Sequence, residues 1–456
     1  MSTSTAVAAP IPTEKNLLIR TALLVGLTIF VGALISALIG EKLTFLYKEE
    51  LHLTTSGIGT LLILTGIPSY LQPFMGAWSD LFPLFGYHRR SYFILASLLD
   101  AFGFLCLSTL HQYHYAVVAG LIILTGTGGI LLWVMTNATM VAIGNRTGSF
   151  GRLQSLRLFV PLAMQIAFTS HLGGYAAEKL SYGLVFMLAA LLSLVRGSFF
   201  VFITEPHERE VGSKTETLEA RAARQQRKAE ERAKTARALR RAAATPGLWV
   251  IVAYVFYLIL TPGLNTARTF FEKDALQFTK QFIGDLGVYS AVGVLIGIAG
   301  FGLVSRRLPI WSLVWGAWLM DTIGYLLMLR IHDAHTARIF LTCRGAVDVV
   351  YDLCLMTLAA RACPPGIEGT IYGLVLAAIA FAGALSEKIG SSLYDHFGPS
   401  HGYSITHGWV YGQWCGFAFT VVAFVFIPFL PAWTRSRATL GETANRAEIA
   451  ESAPSP

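Results

Sequence analysis

Between Leu17 and Leu430 the chain repeats one pattern, an apolar block about 20 residues long followed by a short polar break. As helix, such a block spans the ~30 Å hydrocarbon core of a bilayer. The blocks predict helical spans over 17–40, 56–78, 91–111, 115–142, 154–176 and 184–203. A second set is predicted over 248–270, 283–304, 310–330, 338–360, 369–393 and 407–430. One core wrapped in polar surface cannot be written this way, so the expected solvent is lipid. The fold class is therefore an all-α membrane protein of twelve spans.

The long polar stretch between the two sets divides the chain further. The expected organisation is a tail over 1–16, a six-helix half over 17–205, a charged linker over 206–247, a second six-helix half over 248–430 and a tail over 431–456. The linker is rich in Ala, Arg, Glu, Lys and Gln, a helix-forming composition. It reads as a solvated connection rather than a docking element.

Composition supports the membrane reading. Only 14% of the residues are charged against 54% hydrophobic, whereas soluble domains carry about 25% charged residues. Placement of the charge sets an expected orientation. His88-Arg89-Arg90, Arg146 with Arg152, the linker, Arg306-Arg307 and Arg361 all fall in the even-to-odd connections. Lys and Arg mark cytoplasmic loops, so both termini and the linker are expected in the cytoplasm of a multi-pass protein of the cell (inner) membrane. The formal net charge of +8 follows from those loops and does not call for nucleic acid. Five cysteines sit in or beside apolar blocks without paired spacing, which predicts neither disulfides nor a metal site. The first sixteen residues lack a basic region before a short apolar stretch, so no cleavable signal is expected.

The two sets resemble each other. Span three reads LLDAFGFLCL around Asp100 and span nine reads LMDTIGYLLM around Asp321, each with Asp three residues before Gly. LGGYAAEKLSYG after span five and IGSSLYDHFG after span eleven share small residues. These matches, with the linker between them, fit two halves related by a parallel repeat. That is the architecture of the major facilitator superfamily, in which substrate binds between halves near the midplane.

Gly76-Ala77-Trp78-Ser79-Asp80, followed by Gly86 and then Arg89-Arg90, resembles the loop signature of that superfamily. A narrower resemblance covers patches from about residue 45 to 395. Pro68, Pro73, Gly76, Ser79-Asp80, Pro83 and FGYHRRSY are similar to the folate–biopterin transporter family, as are TPGLNTARTFFEKDALQFTKQFIG (261–284) and CPPGIEG (363–369). The resemblance implies a secondary transporter working by alternating access on a pterin or folate-like heteroaromatic. Gly76, Asp80, Arg89 and Arg90 are expected to take part in the conformational change. Where that family carries a lysine before the second Pro of span two, this chain has Gln72. A folate tail would lose a charge-assisted partner worth about 1.5–3 kcal/mol there, which predicts preference for an uncharged pterin.

Charges within spans carry the remaining hypotheses, because each costs about 2.5–3.5 kcal/mol at mid-depth on insertion scales. Arg344, Asp348 and Asp352 recur every four residues and stack on one face of span ten. They are expected either to line the cavity, with Asp348 as the proton-coupling group, or to form a structural Arg344–Asp348 pair. Asp100 and Asp321 are expected to serve the scaffold, and Arg196 to snorkel or pair. Glu387 and Lys388 would gate the outer end or reach the interface, and Arg268 has the same two readings. A pterin edge can pair with a carboxylate and its ring can stack on aromatics, so Tyr70, Trp133, Phe270 and Gln72 complete the candidate set. No HExxH, GxSxG or clustered His/Asp motif points to an enzyme. No cofactor or metal is expected, and the partners are the small-molecule substrate, a coupling proton and the bilayer around a monomer. The alternative is a non-transporting assembly or pigment-handling factor on the same scaffold.

Overall fold

The computed structural model describes residues 14–82, 84, 89–147, 157, 159–199, 246–304, 309–362 and 368–430. Both tails, the linker through residue 245, the FGYH run at 85–88 and the CPPG run at 363–366 lie outside them. The described residues are helical, and helix occurs in each of the twelve predicted spans. Among the described residues, five helical stretches are long and apolar enough to cross a membrane by length and composition. The protein is a multi-pass integral membrane protein.

Several spans depart from the predicted uninterrupted rods. The first helix, α1 (Glu14–Glu49), overshoots the predicted 17–40; its 36 residues extend about 54 Å. The extra turns carry Glu41, Lys42, Lys48 and Glu49 beyond the predicted apolar block. Span two breaks into α2 (Thr55–Thr65), α3 (Ile67–Tyr70) and α4 (Gln72–Leu81). Pro68 and Pro73 each begin one of the later pieces, since proline lacks the N–H donor and its ring clashes with the preceding turn. After α5 (Arg90–Thr109) and α6 (Tyr115–Thr147), the fifth span includes a π-turn over Gln165–Thr169 that leads into α7 (Ser170–Lys179). α8 (Tyr182–Ser198) ends the first set.

Span seven, predicted as 248–270, is also discontinuous. α9 (Pro246–Ile259) stops short of Pro262-Gly263, and α10 (Asn265–Phe270) continues into a π-turn over Phe271–Ala275. Four long helices follow: α11 (Lys280–Val304), α12 (Ile310–Met328), α13 (Ala334–Ala362) and α14 (Glu368–His396). α15 (Ile405–Val422) finishes in 3₁₀ turns around Pro428. Ahead of α13, Asp333 accepts the Thr336 backbone N–H at 2.7 Å. That bond holds its carboxyl below the usual carboxylate range.

Packing relies on small residues, as expected where lipid competes equally for apolar side chains. A β-carbon at Gly293 or Gly297 of α11 would collide with the α13 backbone around Thr342 and Ala346. The repeat recognised in the sequence has a physical counterpart. Asp100 accepts a hydrogen bond from Ser193 of α8 at 2.7 Å, and Asp321 accepts one from Thr420 of α15 at 3.3 Å. In each set, a buried carboxylate of the third span is thus held by a hydroxyl of the sixth.

A hydrogen bond to a buried charged group is worth about 1.5–3 kcal/mol. We therefore expect Ser193→Ala and Asp100→Asn each to lower stability by roughly that amount. Thermal unfolding of the purified variants checks this; wild-type melting of both would refute a scaffold role for the pair.

Candidate functional site

A cavity of about 740 Å³ opens among α1, α5, α6, the fifth span and α8, and reaches Gly284 and Gly287 of α11. This size lies within the ~300–1,000 Å³ range of ligand sites. Its walls are mostly apolar, with Glu41, Asp100, Trp133, Gln165 and Arg196 as the larger polar or amphipathic groups. The π-turn at 165–169 contributes Gln165, whose amide donates to the Gly287 carbonyl of α11 at 3.4 Å. Arg157 lies over the Trp133 ring, 4.4 Å from its centroid, and donates to Asn137 Oδ1 at 3.0 Å. Arg196 presses against the α1 backbone at Gly32 and faces Asp100.

Of the substrate-binding and gating candidates named from the sequence, Trp133 alone lines this cavity, and Asp100 and Arg196, expected to serve the scaffold or to pair, line it as well. Arg344, Asp348 and Asp352 sit on α13 in the second set. Arg344 Nε donates to Asp348 Oδ1 at 2.7 Å, its Nη2 lies 3.8 Å from Asp321 Oδ1, and its guanidinium covers the Tyr325 ring at 5.4 Å. The pair read as structural in one alternative is thus a triad reaching α12. Asp348 remains nearly half exposed and Asp352 is exposed. Tyr70 donates to the Ile63 carbonyl at 3.1 Å and meets Phe381 of α14 edge-on. Gln72 donates to the Ser69 carbonyl at 3.0 Å and so supports the kink in span two. Gly76 faces Val134 of α6, and Arg89 and Arg90 lead into α5. Asp80 ends within the last turn of α4, its side chain outside the described residues.

Phe270, Glu387 and Lys388 belong to a different assembly, where the two helix sets meet at the end marked by the α1–α2 turn. Lys48 bonds both carboxylate oxygens of Asp274 at 2.6 Å while lying 4.3 Å over the Phe270 ring. Glu49 pairs with Lys280 at 2.6 Å, and His171 Nδ1 meets Asp285 Oδ1 at 2.5 Å. Asp395 of α14 accepts the Thr55 hydroxyl and the Ser56 N–H, capping α2 from the other set. Lys388 donates to the Ser56 carbonyl and hydroxyl at 2.9 and 2.6 Å. Gly174 and Gly284 allow α7 and α11 to touch backbone to backbone, a contact that any β-carbon would open. Together these contacts seal one end of the molecule. Glu387 acts within the second set: its carboxylate accepts the backbone N–H groups of Asn265 and Thr266 at 3.3 and 2.6 Å, capping the free end of α10.

Sequence reading missed Glu41 and Gln165 because their importance lies in which cavity their helices face. Arg157 was detectable by the same rule that picked out Arg344, as a cation inside a predicted span.

A family model matches residues 33–406, which is most of the chain. The chain belongs to the BT1 family. This BT1 protein is 27% identical over 371 residues to a folate-biopterin transporter of Synechocystis, with 78% of this chain and 71% of that protein covered. It is 23% identical to folate transporter 2 of Plasmodium falciparum, covering 85% and 83%. Among solved structures, the nucleoside transporter NupG superposes with a TM-score of 0.66 at 10% identity over 90% of this chain and 99% of that one. A D-xylose–proton symporter gives 0.62 at 15% identity over 94% and 100%. At those identities the likeness concerns the fold, which is the major facilitator fold.

Removing Arg344 from the BT1 protein leaves buried Asp321 without its cation, and orphaning one partner of a buried pair costs about 3–5 kcal/mol. Asp348 is better solvated, so Asp348→Asn should cost less than about 1 kcal/mol. Arg344→Met is therefore expected to melt well below Asp348→Asn in parallel unfolding curves, and the reverse order would contradict the triad.

The Lys48–Asp274 pair is partly exposed and worth about 0.2–1 kcal/mol. Charge reversal at either residue should shift the closed population by up to about fivefold. Reversing both should restore it. Solvent labelling of a cysteine placed at Ala177, buried against Ile283 of the other set, reports the change; if the double reversal labels like the single ones, the pair does not hold this seal.

Proposed function

We propose that this BT1 protein is a proton-coupled secondary transporter of a pterin or folate-like heteroaromatic, working by alternating access as a monomer. The observation that carries the reading is a cavity of about 740 Å³ walled by Trp133 and bordering the junction of two helix sets that partly exposed ion pairs hold together. The printed names of the Synechocystis and Plasmodium relatives support the cargo class, and the symporter among the structural neighbours is in keeping with proton drive.

The same cavity favours an uncharged pterin over folate. Its lining carries two carboxylates, Glu41 and Asp100, against one guanidinium, Arg196. That balance disfavours an anionic tail, while the Trp133 face offers a stacking platform. Loop charge supports cytoplasmic termini and linker in the cell inner membrane.

Competitive uptake into proteoliposomes tests the reading. Biopterin is expected to compete about tenfold better than folate, and uptake is expected to rise with an inward proton gradient. Trp133→Ala should weaken biopterin competition by about twofold to tenfold, the value of a lost aromatic contact. Stronger competition by folate would overturn the preference, and failure to move either compound would overturn the transport reading.

A further inference from the structure

The π-turn after α10 buries a carboxylate that the cavity and seal do not account for. Glu272 is 1% exposed, and neither of its oxygens has a hydrogen-bond partner among the described residues. Arg268, one turn back, approaches Glu272 Oε1 only to 3.6 Å, beyond hydrogen-bond range, and its Nε is equally unpartnered. A second carboxylate acts on the same guanidinium from the other helix set: Glu41 of α1, which also lines the cavity. Two carboxylates thus act on one cation, Glu272 fully buried and Glu41 at the cavity wall.

Among the described residues no second cation acts on Glu272: Lys273 of the same π-turn acts on Glu178 of α7 instead. From α1, Lys48 is committed to Asp274, and Lys42 to the carbonyls of Ala177 and Leu180. From α14, Glu387 caps α10, Lys388 binds Ser56, and Asp395 caps α2. From α11, Lys280 pairs with Glu49 and Asp285 with His171. From α15, Trp409 stacks on Phe271 with ring centroids 4.8 Å apart and brings only a neutral donor. With both acids ionised, the cluster carries one uncompensated negative charge. A buried charge of that kind is expensive unless it is paired or neutralised. One proton removes it.

We propose that Glu272, with Glu41 facing it across the junction of the two helix sets, is the proton-coupling site, with Arg268 as the cation they share. This rests on the transport reading and moves coupling away from Asp348, which is nearly half exposed and hydrogen-bonded to Arg344 at 2.7 Å, whereas Glu272 is buried with no hydrogen bond among the described residues. The position explains how a proton affects conformation. Glu41 moves with the first set and Glu272 with the second. Asp274 of the seal lies in the same π-turn as Glu272. A protonated Glu272 leaves Arg268 to Glu41, which compensates charge across the junction. Loss of that proton leaves a net negative charge that only separation of the sets and entry of water can relieve. The proton leaves as H⁺ to that water and no other bond changes.

Two measurements test the site. The first needs no cargo: tryptophan fluorescence of the purified full chain is followed from acid to mildly alkaline pH, with Trp409→Phe identifying the component next to Glu272. That component is expected to titrate in the wild type and to stay flat in Glu272→Gln. An unchanged titration in Glu272→Gln overturns the proposal. The second is the ratio of biopterin uptake with and without an inward proton gradient, which is insensitive to the amount of folded protein. It is expected to be about tenfold in the wild type and to fall to about one in Glu272→Gln and Glu41→Gln. Should Glu272→Gln fail to fold, Glu41→Gln carries the same test, and a wild-type ratio in it refutes the site. A wild type that exchanges biopterin without responding to the gradient refutes coupling alone, whereas one that moves no biopterin refutes the transport reading while the fluorescence titration still judges the site.

Discussion

Lipid offers no hydrogen-bond partner to a peptide group, and the arrangement around the break in span seven follows from that constraint. Pro262-Gly263 interrupts the helix and frees backbone groups within the bundle. The second set of helices satisfies them. Gly263 N–H reaches the Ser386 carbonyl at 3.0 Å, Tyr325 donates to the Pro262 carbonyl at 2.8 Å, and Ser386 donates to the Thr261 carbonyl. Glu387 completes the repair by capping α10. A discontinuous span is tolerable only where neighbouring protein supplies such partners.

The break has consequences for function. It separates α10 and its π-turn from the rest of span seven, which places Arg268, Glu272 and Asp274 within two turns of chain beside α1. Asp274 then meets Lys48 across the junction of the sets, while Glu272 stays buried with no hydrogen-bond partner among the described residues. A π-turn inserts an extra residue per turn and redirects side chains, and such turns concentrate at functional sites. The other π-turn, at 165–169, brings Gln165 into the cavity and against α11. Both irregularities thus lie where the first set meets the second.

Energetically, the ion pairs of the seal are weak terms. They are partly solvated, and each contributes at most about 1 kcal/mol. Within each set the polar contacts are of another kind: buried carboxylates held by hydroxyls and Arg344 between two acids. Strong contacts inside the sets and weaker ones between them are what two bodies that rock against each other require.

The sequence by itself determined the solvent, the approximate positions of the spans and the internal likeness of the two sets. Each depends only on local composition: about 20 apolar residues must span the bilayer whatever they pack against, and Asp100 and Asp321 recur at matched positions along their spans. The family was legible too, in runs such as FGYHRRSY and TPGLNTARTFFEKDALQFTKQFIG. The site was legible only in part. Asp348, Glu387 and Lys388 stood out as charges in apolar blocks, but a block of uniform hydrophobicity does not reveal which face meets lipid, a cavity or another helix. Tertiary structure decided that Glu387 caps a broken helix, that Lys388 joins the two sets, and that Glu41 looks into the cavity. It also decided that Glu272, outside the predicted spans, is buried without a hydrogen-bond partner among the described residues. The physical reason is that insertion depends on the summed hydrophobicity of one segment, whereas partnership depends on the direction of a side chain and on residues more than a hundred positions away.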